Sequence, residues 1–316
     1  MGWINPTEMR IGNVILDNPF ILAPLAGYSD LPFRLLCREY GAALCYSEMI
    51  SCHGLVYRQQ NTFNMLKTVA AERPVCIQLF GSEPETMGEA AAILSDYPID
   101  LIDINMGCPV RKVIKKGAGA ALMKEPQLAG EVIRRVCAKT TLPVTVKIRS
   151  GWSHDQITAP AFAKMAEEAG AAAVAIHART WTDGFGGTVD RAVIKAVKQA
   201  VAIPVIGNGD ISSYREGLAM MAETGCDAVM IGRGALGNPF VFRPESRPAN
   251  AAGIVPALYR HLELIEEYYP PERVLARTKN QAGRYFKGLP GSSNIRQAIY
   301  NAQSFRALKD LLNSCR

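Results

Sequence analysis

The sequence predicts an α/β chain: a closed (β/α)8 TIM barrel followed by a small, all-helical C-terminal domain. Three observations predict it. Short apolar runs alternate with longer amphipathic ones, the pattern of parallel strands buried on both faces and separated by helices. The strand-like runs number eight, the count that closes this kind of barrel. After Pro239 the alternation stops and only helical periodicity follows. With 316 residues and 48% hydrophobic content, the chain can bury one large domain and a small appendage. The expected division gives a barrel over residues 1–244 and a helical domain over 245–316.

In chain order the strands are expected at 20–26, 43–49, 75–80, 101–105, 144–148, 173–177, 205–208 and 228–231. Helical spacing of apolar residues fills 31–40, 84–95, 126–139, 160–169, 191–200 and 214–224. Gly or Pro marks most junctions, as in Tyr40-Gly41, Ala169-Gly170 and Thr224-Gly225. The stretch between the second and third strands has no clear pattern. A doubly wound sheet is the alternative architecture. It would normally offer a GxGxxG turn after its first strand, whereas here that strand ends in Pro24-Leu25-Ala26-Gly27. Beyond the barrel, Pro244, Pro248 and the Ala-rich stretch 249–253 read as a linker. Three helical patterns follow at 254–269, 271–287 and 293–312, with a turn at Lys287-Gly288-Leu289-Pro290-Gly291.

Composition excludes several function classes. The opening Met1-Gly2-Trp3-Ile4-Asn5 has no basic segment followed by an apolar run, so no secretory leader is expected. Pro6 stands where a myristoylation motif needs Ser or Thr. No apolar stretch is long enough to span a membrane, and a cytoplasmic protein is expected. The eight cysteines, at 37, 45, 52, 76, 108, 137, 226 and 315, contain no CxxC pair. Neither a metal site nor a disulfide framework is expected from them. Most, such as Cys76 in Val75-Cys76-Ile77, read as small buried hydrophobes. The net charge of +6 is uneven: residues 245–316 hold 11 Lys/Arg against 6 Asp/Glu. From Glu272 to Lys309 there are 8 cations and one acid, interleaved with Tyr285, Phe286, Tyr300 and Phe305. That is the composition of a nucleic-acid footprint. A solvated basic helical surface accounts for the charge alone equally well.

The chemistry concentrates at the C-terminal ends of the strands, where barrels of this kind carry their active sites. Strand one ends in Pro24, Leu25 and Ala26, and strand three carries Gln78. Strand four ends in Asn105 and, past a tight turn, Cys108, followed by the cations Arg111, Lys112, Lys115 and Lys116. Strand five carries Lys147 and Arg149, and strand six ends in His177 and Arg179. Strands seven and eight end in Asn208-Gly209-Asp210 and Gly232-Arg233-Gly234. Each residue alone has a bland reading, and His177 by itself is an ordinary structural histidine. Lys147, however, interrupts a run expected to be buried, and an unpaired buried charge is very costly. It needs an anionic partner or an electron-rich ligand atom. The two glycine-rich turns after consecutive strands suit a phosphate, with Arg233 adding a charge-assisted contact. Flavin mononucleotide fits a site with one phosphate, a polar pyrimidine edge and a nearby cation. Pyridoxal phosphate on Lys147 competes. A nicotinamide cofactor lacks its fingerprint loop.

Taken together, these residues resemble a known family. Asn105-Met106-Gly107-Cys108-Pro109, Lys116-Gly117-Ala118-Gly119-Ala120-Ala121-Leu122-Met123 and Lys147-Ile148-Arg149-Ser150-Gly151 are similar to motifs of the FMN-dependent tRNA-dihydrouridine synthases. So are Ala23-Pro24-Leu25-Ala26-Gly27, His177-Ala178-Arg179-Thr180 and the stretches 204–210 and 231–239. The resemblance covers almost the whole chain. Met106 and the lysine-rich loop after Cys108 look most like the bacterial B-type branch.

The resemblance implies an FMN barrel followed by a helical tRNA-binding domain, acting as a monomer on tRNA and not on DNA. It implies reduction of the 5,6 double bond of uridine in the D-loop. NADPH reduces the flavin, reduced flavin delivers hydride to uracil carbon 6, and Cys108 protonates carbon 5. Pro24, Leu25, Ala26, Gln78, Lys147, His177, Asn208, Gly209, Asp210, Gly232 and Arg233 fall at FMN positions. Asn105 would hold the uracil edge. Arg149 and Arg179 would lie near substrate, and Arg111, Lys112 and Lys115 would contact tRNA phosphates. The base must be extruded into the pocket, at about a few kcal/mol for unstacking. Three features depart from the pattern: Ala178 replaces the usual Gly, Asp183-Gly184-Phe185 stands where Gln-Gly-Tyr is common, and Asp190-Arg191 stands where Asp-Trp is common. Two rivals remain, a small-molecule FMN-barrel reductase and a tRNA-binding factor with a vestigial flavin.

Overall fold

The structure, a computed structural model, describes residues 9–313. The opening segment read for a leader, Cys315 and the last residues of the basic tail lie outside the described residues. Eight parallel strands form the barrel: β1 (Phe20–Leu22), β2 (Leu44–Tyr46), β3 (Val75–Phe80), β4 (Leu101–Met106), β5 (Val144–Gly151), β6 (Ala173–Thr180), β7 (Val205–Asn208) and β8 (Ala228–Ile231). Neighbours in sequence are neighbours in space, and β8 pairs with β1 to close the sheet. The TIM-barrel expectation is met, and the doubly wound alternative falls because an open sheet has two free edges.

Two strands stop earlier than expected and three run on, β4 by a single residue. β1 ends before Pro24, which has no N–H to continue the ladder. β5 and β6 stay paired through a bulge between Arg149 and Gly151, which carries Arg149 and Arg179 inside the strands. At Gly151 a Cβ would lie 1.9 Å from the carbonyl oxygen of Gln156, so the bulge requires glycine. The unassigned stretch after β2 contains a two-residue strand, Ile50–Ser51, and short helical turns.

The barrel interior has a hydrocarbon lower half and a polar upper half. Ile21, Leu44, Cys76, Leu101, Ala173, Ile206 and Ala228 fill the lower half. An antiparallel hairpin, Met9–Ile11 with Val14–Leu16, packs Met9, Ile11 and Leu16 against them. Strand alternation turns Gln78, Asp103, Asn105, Thr145, Lys147, His177 and Asn208 inward above. The register sets them side by side: Gln78 beside Asp103, Asp103 beside Thr145, Asn105 beside Lys147, and His177 beside Asn208.

The C-terminal region forms four helices: α2 (Ala251–Tyr268), α3 (Pro271–Tyr285), α4 (Ser292–Asn301) and α5 (Phe305–Asn313). Two corrections follow. The Ala-rich stretch read as linker is partly the first turn of α2, N-capped by Asn250, whose Oδ1 accepts from Gly253 N at 2.9 Å. The single helix expected at 293–312 is two helices, because Ser304 starts a new one by accepting from Ala307 N at 3.1 Å.

These helices share a core with the barrel's first helix, α1 (Leu31–Glu39). On one face of α1, Phe33 and Cys37 pack into the barrel core. On the other, Leu31, Leu35 and Leu36 pack with Ile254, Leu258 and Leu262 of α2 and with Tyr285 and Phe286. Among the described residues no helix is long and apolar enough to cross a membrane. Leu258→Ala and Leu262→Ala should each cost about 2–5 kcal/mol by urea unfolding. Removing residues 245–316 should yield insoluble protein, because it uncovers the leucine face of α1. A soluble, cooperatively unfolding 1–244 fragment would contradict the shared core.

Candidate active site

A cavity of about 760 Å³ opens at the C-terminal ends of the strands. The strand-end residues expected from the sequence converge on it. Pro24, Leu25, Ala26, Gln78, Asn105, Cys108, Lys147 and Arg149 line it, as do His177, Arg179, Asn208, Gly209, Asp210, Gly232 and Arg233. Arg111, Lys112 and Lys115 do not. They lie exposed on the short helix Arg111–Ile114 and at its end, where buried Val113 pins the opposite side.

The cavity floor is a closed network of polar groups. Asp103 Oδ1 accepts from Thr145 Oγ1 at 2.6 Å, and Oδ2 accepts from Gln78 Nε2 at 2.7 Å. Tyr46 Oη lies 3.3 Å from Thr145 Oγ1. Burial pushes Asp103 up to about 7, against the opposing pull of these hydrogen bonds and of the Lys147 charge. Lys147 Nζ donates to Asn208 Oδ1 at 3.2 Å, and Asn208 Nδ2 donates to Met230 O at 2.6 Å. Among the described residues no carboxylate stands within ion-pair distance of Lys147. Burial, with the Arg149 charge adding to it, pulls the ammonium down to about 8.

Cys108 sits on a turn fastened from several sides. Asn105 Oδ1 accepts from Cys108 N at 2.9 Å and from Gly107 N at 3.2 Å. Cys108 O accepts from Ala120 N at 3.1 Å. Beneath the turn, Gly119 has φ +63°, and a Cβ there would approach the Cys108 carbonyl oxygen to 2.8 Å. Arg149 spans the gap to β6: its Nε donates to Gly107 O at 2.8 Å, Nη1 to Thr180 O at 2.6 Å and Nη2 to Gly184 O at 2.7 Å. Burial raises the Cys108 thiol above its ordinary value, outweighing the lowering by the Val110 amide and by Arg149 and Lys147. The sulfur is therefore a protonated thiol at neutral pH.

The opposite wall is cationic. Arg179 Nη2 donates to Asp210 Oδ2 at 2.5 Å and to Gly187 O at 2.8 Å. Its Nη1 donates to His177 Nε2 at 3.3 Å. Arginine can only donate, so the His177 proton resides on Nδ1. Burial and the charges of Lys147, Arg149, Arg179 and Arg233 hold His177 well below the usual histidine range, and it is neutral. Arg233 is half exposed; it pairs with Asp210 at 3.1 Å and donates to Phe185 O at 2.7 Å. The turn it shares with Gly232 and Gly234 is tight, since a Cβ on Gly234 would lie 2.0 Å from Ile211 O.

Sequence reasoning missed two groups. Asp103 interrupts an apolar strand just as Lys147 does, and the same signal would have found it. Tyr28, Arg284 and Lys287 at the mouth carry no local signal, because the tail reaches the cavity only through the fold. There α3 grips the turn after Pro24–Ala26. Arg277 Nη1 and Asn280 Nδ2 donate to Gly27 O at 3.1 and 3.2 Å, and Arg284 Nη2 donates to Tyr28 Oη at 2.6 Å.

Comparison with known proteins places this architecture. The family model described as dihydrouridine synthase matches residues 21–315. The tRNA-dihydrouridine synthase B of Xanthomonas axonopodis pv. citri is 36% identical over 305 residues, spanning 94% of this chain and 92% of that protein. The protein of the same name from Pasteurella multocida is 38% identical over 300 residues, spanning 92% and 90%. Among solved structures, morphinone reductase in complex with tetrahydroNAD superposes with a TM-score of 0.57 at 15% identity, over 79% of this chain and 93% of that one. Histamine dehydrogenase from Rhizobium sp. 4-9 gives 0.58 at 15%, over 75% and 46%. At such identities the likeness concerns the fold alone.

The raised thiol gives a direct expectation. Alkylation of Cys108, read as the difference between the chain and its Cys108→Ala variant, should rise with pH through a value above the ordinary thiol pKa of about 8.5. A transition near neutrality would contradict the burial argument.

Proposed function

The chain belongs to the dihydrouridine synthase family, and on that premise we propose that it reduces the 5,6 double bond of uridine in the D-loop of tRNA, with FMN in the barrel and NADPH as electron donor. The observation that carries the reading is a fixed, protonated thiol and a half-buried ammonium facing one cavity. When bound, the flavin supplies the two-electron relay from NADPH to the uracil ring.

The residues fit an FMN. Among the described residues Lys147 has only a neutral amide oxygen as hydrogen-bond partner, so an electron-rich ring edge would complete its pairing. Neutral His177, with its proton on Nδ1, and Gln78 offer further polar contacts. Pro24, Leu25 and Ala26 supply an apolar wall. The turns of Asn208, Gly209 and Asp210 and of Gly232 and Arg233 suit the phosphate, since bulk at Gly234 would displace the Ile211 backbone.

On the substrate side, Cys108 Sγ would donate a proton to uracil carbon 5 as carbon 6 takes its hydrogen from the cofactor. The thiolate left behind is stabilised by the Lys147 and Arg149 charges, the groups that already pull its pKa downward, until solvent returns the proton. Arg149 donates to three backbone carbonyls, and Arg179 to Gly187 O, Asp210 and His177, so they position the turns that face substrate. Asn105 likewise has its oxygen on the Cys108 turn. Arg111, Lys112 and Lys115, with Arg284 and Lys287 of the tail domain at 245–316, would hold tRNA phosphates, and binding would weaken steeply with salt. The chain would work as a monomer in the cytoplasm.

Cys108→Ala should leave reduction of the flavin by NADPH intact and slow the tRNA-dependent step by about 10²-fold or more, the scale of a lost general acid. Single-turnover mixing with unmodified tRNA measures this, and a rate near that of the unaltered chain would remove Cys108 from the role. The pH dependence has a definite sign. A group that must be charged and has its pKa near 8 loses function as pH rises through that value, before the raised Cys108 thiol ionises. Dihydrouridine formation should fall above about pH 8, and Lys147→Arg should remove that limb. A limb unmoved by Lys147→Arg would assign it elsewhere.

A further inference from the structure

We propose that Asp103 is a positioning residue for Cys108, its carboxylate setting the direction of a hydrogen-bond chain that runs through Gln78 and Asn105 to the Cys108 turn. The consequence for catalysis rests on the reading above; the structural claim does not.

Above the value of about 7 to which burial raises it, Asp103 is an ionised carboxylate that only accepts, and a backbone N–H only donates. These are the two ends of the chain. Between them stand two side-chain amides, each with one donor end and one acceptor end. Gln78 gives its Nε2 to Asp103 Oδ2 at 2.7 Å, so its Oε1 faces Asn105 and accepts from Nδ2 at 2.8 Å. Asn105 Oδ1 is thereby left for the turn, where it accepts from Cys108 N and Gly107 N. Reversing Gln78 would turn its donor toward the Asn105 donor. Asn105 would then have to turn its own Nδ2 onto two N–H groups. Water cannot relieve the conflict at the buried end, because Asp103 and Gln78 are 0% and 1% exposed. Thr145 donates to the other oxygen of Asp103, so both oxygens remain acceptors. The acid therefore does more than satisfy its neighbours, since it selects which face of Asn105 meets the catalytic turn. Asp103 lies on the strand that leads into the Cys108 turn, but its carboxylate reaches that turn only across to Gln78 on the neighbouring strand and back through Asn105.

Asp103→Asn tests this. The substitution is nearly isosteric, but an amide can offer Gln78 either a donor or an acceptor, so the chain loses its fixed direction. Alkylation by iodoacetamide, followed by mass spectrometry at each cysteine, is the readout. The expected result is a selective rise at Cys108 of at least about fivefold, the scale of one net hydrogen bond, with Cys76 and Cys45 as protected as before. An unchanged Cys108 rate would overturn the proposal. So would a rise shared by the buried cysteines, which marks general loosening. Should Asp103→Asn fail to fold, Gln78→Met cuts the chain one link further on with little change of shape. It must produce the same selective rise, and an unchanged rate overturns the proposal equally. The measurement needs neither NADPH nor tRNA. If the unaltered protein failed to reduce tRNA, the functional reading would fall while this inference was still decided by the alkylation pattern.

Discussion

The structure depends on one constraint: polar and charged groups buried in the upper half of the barrel must all find partners there. Below them the barrel is hydrocarbon, sealed by the N-terminal hairpin. At their level Asp103, Gln78, Thr145, Asn105, Lys147 and Asn208 occupy adjacent inward positions on neighbouring strands. A buried polar group without a partner costs about 1–3 kcal/mol, and a charge costs more. The strand register is therefore under double control. A slip by one residue would put hydrocarbon into the network and the network into the helix layer. Lys147, paired among the described residues with the neutral Asn208 amide, faces the cavity.

The same pairing extends outward to the reactive turn. Asn105 joins the floor network to the Cys108 backbone, and Arg149 joins that backbone to the loop after β6. Arg179 and Arg233 share Asp210 and brace the opposite wall. These arginines bring positive charge close to the cavity while the protein pairs most of their donors, Arg179 Nε excepted. Burial first, and then the charges of Lys147 and these arginines, keep His177 neutral. The tail takes part as well, since α3 holds the Gly27–Tyr28 turn that continues from the apolar wall.

Much of this was legible in the sequence because barrel strands carry a simple code. Lys147 stood out by interrupting an apolar run, and the glycine-rich turns after β7 and β8 marked themselves. Asp103 breaks its apolar strand in the same way and carries the same signal. The extra length of β5 and β6 was hidden by a bulge that only the Gly151 geometry explains. The break at Ser304 was hidden because helical periodicity resumes on the same apolar face. That the tail shares its core with α1 could not be read locally, since α1 is simply apolar on two faces. Arg284 and Lys287 reach the cavity through that packing, and no spacing in the chain announces it.

The central claim is that one cavity holds a flavin between NADPH and a tRNA uridine. The measurement that tests it most directly is the absorption spectrum of the purified protein under anaerobic conditions, followed first on adding NADPH and then on adding unmodified tRNA. The account predicts a yellow protein that bleaches with NADPH and regains its colour on adding tRNA. A flavin that stays bleached with tRNA but recovers with small enones or quinones would contradict the substrate. A colourless protein that cannot be reconstituted with FMN would contradict the cofactor and the reaction together.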